Sequence, residues 1–86
     1  MRVDIEDWKN GWLGIDIGIR QDEINRLIDL LRVLERKPDQ HFHISSDYEG
    51  TGGIGNIRVS VLPTDVDSNM HLTSRAYAPG EVIDEQ

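Results

Sequence analysis

The chain has 86 residues and no cysteine, so it has room for one domain with one small core and cannot build a disulfide framework or a thiolate zinc site. Sixteen acidic against nine basic side chains give a net charge of −7, a field that repels nucleic acid phosphates and favours a basic partner or plain solubility. No apolar run approaches the roughly 18 residues of a membrane span, and residues 1–7 alternate charge with apolar side chains where an export signal needs an unbroken apolar stretch, which together predict a soluble, cytoplasmic protein.

The first predicted strand is Arg2 to Asp7 and the second Trp12 to Ile19. Asn10-Gly11 between two alternating segments signals a hairpin. A two-residue loop would set Glu6 against Ile15 and mix charge with core. A three-residue loop, Lys9-Asn10-Gly11 with Gly11 at positive φ in a G1 bulge, instead opposes Val3 with Ile17 and Ile5 with Ile15. One face is then continuously apolar. The other carries Trp8 beside Trp12, Glu6 beside Gly14, Asp4 beside Asp16 and Arg2 beside Gly18.

After Ile19 the apolar period changes from two to about 3.6. Ile24, Leu27, Ile28, Leu31 and Leu34 recur at helical spacing, predicting a helix over 21–37. Asp22 and Glu23 complement its N-terminal dipole, Arg36 and Lys37 its C-terminal one, and Pro38 stops it. A third strand over 40–46 points Phe42 and Ile44 one way and His41, His43 and Ser45 the other. A fourth, over 57–62, alternates Ile57, Val59 and Val61 with Arg58 and Ser60. Residues 47–56 between them hold four glycines and read as a long hairpin loop. Residues 70–78 are expected to add a short edge strand, and 79–86 to form a loose acidic tail.

The economical fold is α+β: a ββαββ antiparallel sheet of four or five strands in one domain, 1–86, with the helix packed on one face. Ile5, Ile15, Ile17, Ile24, Leu27, Leu31, Phe42, Ile57 and Val59 are expected to share the core. The second face stays open and carries Trp8, Trp12, Asp4, Asp16, His41, His43 and Arg58, with Tyr48 and Glu49 on the glycine loop beside it. These nine are the candidate partner-binding residues.

Each chemical motif has a plainer reading. His41 and His43 are one residue apart on a strand, so their imidazoles share a face about 7 Å apart at the backbone, a spacing that can chelate zinc, nickel or iron. Without a third fixed ligand they are expected to counter nearby carboxylates, with no resident metal. Opposed Asp4 and Asp16 should seek a cation such as Arg2, Arg58 or a protonated histidine. Residues 50–55 match G-x-G-x-x-G letter for letter, but the run precedes a strand where a dinucleotide fingerprint must precede a helix. Ser45, Ser46, His41, His43 and Asp47 supply the residue types of a triad without a nucleophile elbow. No enzyme activity and no cofactor are expected. Trp8 and Trp12 are the stronger pair, because exposed aromatics beside acidic groups serve as interface anchors. The plain alternative is a cross-strand pair that stabilises the hairpin.

Trp-x-x-Gly-Trp-Leu at 8–13, the Ile-rich strand after it, His-Phe-His-Ile-Ser-Ser-Asp-Tyr-Glu-Gly at 41–50 and Gly-Gly-Ile-Gly-Asn-Ile at 52–57 resemble the small bacterial immunity proteins that accompany polymorphic toxins. The resemblance spans most of residues 8–62. It implies a cytoplasmic, non-enzymatic protein that binds and blocks a cognate toxin. Two other readings stand beside it: a metal-binding or metal-sensing protein built on His41 and His43, and a structural subunit that homodimerises through the open face.

Overall fold

A computed structural model describes residues 1–72. The elements follow the chain as β1 (Arg2–Asp7), β2 (Leu13–Gly18), a single 3-10 turn (Gln21–Glu23), α1 (Ile24–Arg36), β3 (His41–Ser45) and β4 (Asn56–Ser60). The fold is α+β, with two antiparallel hairpins flanking one helix.

The first hairpin has the register that the three-residue loop requires: Val3 opposes Ile17, Asp4 opposes Asp16 and Ile5 opposes Ile15. The Trp8 N–H donates to the Trp12 carbonyl at 3.2 Å, which closes the loop around Lys9-Asn10-Gly11. Gly11 sits at φ 96° as expected, and Lys9 at φ 57° is a second left-handed residue in the same loop. Two side chains hold that geometry: the Asp7 carboxylate accepts from the Lys9 N–H at 2.8 Å, and the Asn10 side-chain oxygen accepts from the Trp12 N–H at 3.1 Å.

The helix begins through a clamp on Glu23. Its Oε1 accepts from the Arg20 N–H at 3.1 Å and from the Met1 ammonium at 2.7 Å, while the Glu23 N–H donates to the Arg20 carbonyl at 2.9 Å. These contacts serve donors that an open helix N-terminus leaves without partners. At the other end the Lys37 N–H returns to the Val33 carbonyl at 2.8 Å, and Pro38 follows.

The expected single sheet of four or five strands is not the arrangement found. The strands form two separate two-stranded sheets, β1–β2 and β3–β4, and residues 70–72 are not strand. The rest of the expected fifth strand and the tail lie outside the described residues. The core differs accordingly. Leu34 is the one buried hydrophobic side chain among the described residues, with Leu27, Leu30, Phe42, Ile44, Ile57 and Val59 half-buried around the contact between helix and second hairpin. Met1, Leu27, Leu30, Phe42 and Ile44 line one shared cleft there. Ile5, Ile15, Ile17, Ile24 and Leu31, which the apolar pattern assigns to the same core, are exposed. The reason is the width of the helical stripe. Leu27 and Leu30 share a cleft with Phe42 and Ile44 and Leu34 continues their side of the helix, which leaves Ile24, Ile28 and Leu31 on the adjoining strip.

Candidate functional site

The alternation of β1 and β2 sorts their side chains onto two faces. Asp4, Glu6, Trp8, Trp12 and Asp16 fall on the face opposite the aliphatic one, as the cross-strand pairs require. The Trp8 indole lies over Gly14, so close that a Cβ built there would sit 3.2 Å from its Cζ2 and Nε1. The missing side chain of Gly14 is the seat of that ring. Trp12 has no comparable seat and is 72% exposed, against 54% for Trp8. One indole is thus fixed against the hairpin, and the other is offered to solvent.

Carboxylates flank the pair. Arg2 Nε donates to Asp4 Oδ2 at 2.9 Å with both side chains well exposed, the cation that the opposed Asp4 and Asp16 were expected to recruit. Such an exposed pair contributes little stability. Asp16 has no ion pair among the described residues. The face therefore combines an aromatic platform with unneutralised negative charge.

His41, His43 and Arg58 lie on the second hairpin, where His43 opposes Arg58 and His41 opposes Ser60. The two imidazoles meet edge to face with centroids 4.9 Å apart. Asn56 holds one of them, a residue outside the ligand types that the sequence singles out. Its Oδ1 accepts from Ser45 Oγ at 3.2 Å and contacts His43 Nδ1 at 3.0 Å. An amide oxygen only accepts, so His43 Nδ1 is the donor in this contact. The cross-strand pairing of Ser45 with Asn56 is the signal that would have found it. No group of three or more metal-ligand side chains comes together among the described residues.

Tyr48 and Glu49 sit in the 46–55 loop, which frames an open depression of about 560 Å³. The Ser46 N–H donates to the Gly55 carbonyl at 2.9 Å and the Tyr48 N–H to Ser46 Oγ at 3.0 Å, tying the loop's base together. Tyr48 takes φ 57°, and its ring covers Gly55, where a Cβ would lie 2.6 Å from Cε1. The glycine run thus closes a hairpin, in keeping with its place before a strand.

The nine candidate residues consequently fall into three groups: Asp4, Asp16, Trp8 and Trp12 on the first hairpin, His41, His43 and Arg58 on the second, and Tyr48 with Glu49 on its loop. The structure brings each group together internally and does not merge them into one sheet face. No helix among the described residues is long and apolar enough to cross a membrane. Compared with known proteins, the chain matches no family model, no curated protein and no solved structure.

Proposed function

We propose that this chain is a non-enzymatic binding protein, an immunity-like inhibitor that sequesters a basic protein partner, such as a cognate toxin, in the cytoplasm. The observation that carries the reading is Trp12, 72% exposed on a face whose other indole is seated on Gly14 and whose remaining side chains include Asp4, Glu6 and Asp16. An aromatic anchor supplies affinity when a partner desolvates it, and the carboxylates steer a basic surface toward it. A four-stranded ββαββ sheet with β3 beside β1 would add His41, His43 and Arg58 to the same face; the reading needs only the first hairpin.

Co-expression with the toxin domain of an adjacent secreted protein, scored by cell survival, tests it. Binding is expected at about micromolar Kd or tighter, and Trp12→Ala should weaken it by about 2 kcal/mol, roughly thirtyfold, with the fold intact. Asp16→Lys should slow association and flatten its dependence on salt. Rescue that persists in Trp12→Ala and Asp16→Lys would place the contact on another surface, and failure to rescue from any neighbouring toxin would remove the reading.

A further inference from the structure

The aliphatic face of the first hairpin lies opposite the tryptophan face and, among the described residues, is left without a cover. Ile5, Leu13, Ile15 and Ile17 are 54%, 59%, 65% and 46% exposed; Ile5 opposes Ile15, Val3 opposes Ile17 and Asp7 opposes Leu13. A two-stranded hairpin is at best marginally stable in water until its apolar face packs against something. A second strip is equally bare. Ile24, Ile28 and Leu31, at i, i+4 and i+7 of α1, are 39%, 40% and 47% exposed, beside the side whose Leu27 and Leu30 share a cleft with Phe42 and Ile44. Sheet face and helix strip are complementary in kind, and within one chain they do not cover each other.

We infer that a second copy of this chain closes both gaps: the first hairpin of each protomer lies on the α1 strip of the other, related by a two-fold axis. Area favours this occupant. With all seven residues fully covered in both copies, the exposures above amount to on the order of 1,200 Å² for a reciprocal pair, the lower end of stable interfaces. A contact of one hairpin with an unlike partner would use about two-thirds of that surface and leave the helix strip wet. Charge points the same way. Asp4, Glu6 and Asp16 project from the opposite face, and Asp7, the one carboxylate of β1–β2 on the aliphatic side, stands at its loop end opposite Leu13 with Oδ1 accepting from the Lys9 N–H, so two copies with a charge of −7 each can meet through mostly uncharged side chains. The arrangement is isologous, since whatever the hairpin of one copy touches on the other is touched in return. The tryptophan face stays outside the contact, and the two surfaces can be tested independently.

The intact chain lacks cysteine, which allows a directed cross-link. Ile15→Cys and Leu31→Cys are made as separate single variants, mixed and mildly oxidised. The expected product is a disulfide-linked pair carrying one chain of each kind, together with a light-scattering mass of about twice 9.8 kDa for the unmodified protein. Across about 1–200 µM protein, Ile15→Lys should remain a monomer and Trp12→Ala a dimer. Should Ile15→Lys fail to fold, the cross-link carries the test alone. A monomeric mass at every concentration would overturn the inference. So would an Ile15→Cys/Leu31→Cys double variant that closes its disulfide only within one chain, because the helix of the same copy would then be the cover.

Discussion

Gly11 and Glu23 each bear a local constraint that can be read against a control. Gly11 holds φ 96° in the tip of the first hairpin, where a β-branched side chain is strained. Gly11→Val should therefore destabilise by about 1–3 kcal/mol. Gly52 has open space around its Cβ position and no positive-φ requirement, so Gly52→Ala should stay within about 0.5 kcal/mol. Urea midpoints measured side by side separate the two, and equal small shifts would refute the bulged loop. Glu23 accepts from the Met1 ammonium and, second, from the Arg20 N–H; both lower its pKa from the ordinary 4.5. A depressed folded pKa adds stability that is present above the unfolded value and lost as pH falls through the folded one. Thermal melts of the protein and of Glu23→Gln should therefore differ at neutral pH and converge in acid below pH 4.5. A gap that stays constant across that range would show that the clamp acts through shape alone.

The elements themselves were almost wholly legible. Alternation located β1 and β2 within a residue or two, the register followed from rejecting a loop that buries Glu6, and Pro38 marked where the helix had to end. Their assembly was not legible. Periodicity states that Ile5, Ile15 and Ile17 share an apolar face, yet the same pattern would arise whether that face met the helix of its own chain, of another chain, or nothing. Leu34 shows the same gap from the other side: it was visible as one member of a stripe of five, and only its burial in the structure singles it out. Leu34→Ala should thus lower stability by about 2–3 kcal/mol, whereas Leu31→Ala, at a half-exposed position, should cost the isolated protomer less than about 1 kcal/mol. Chemical denaturation at dilution, where association is absent, checks the contrast. A larger loss at Leu31 would show that the strip is buried within the monomer.

At the scale of the whole molecule, polarity is segregated across the thickness of one hairpin. Tryptophans with Asp4, Glu6 and Asp16 occupy one side, and branched aliphatics with Asp7 at the loop end the other, so the proposed recognition and the proposed self-association need not compete for surface. The candidate site was legible in part for the same reason: the sequence identified which residues share a face, namely Asp4, Asp16, Trp8 and Trp12. It could not tell that the histidines belong to a separate sheet, because joining two hairpins depends on edge-to-edge hydrogen bonds that no side-chain pattern encodes.

Every strand pair among the described residues is local, with Arg2 reaching only to Gly18 and His41 only to Ser60. Chains whose contacts are this near in sequence pay little loop-closure entropy and fold in microseconds to milliseconds. The first hairpin thus needs no residue of α1, β3 or β4 to set its register, and hairpins close in about 1–10 µs. Under the proposed pairing, its aliphatic side is then the first apolar surface that two refolding copies present to each other.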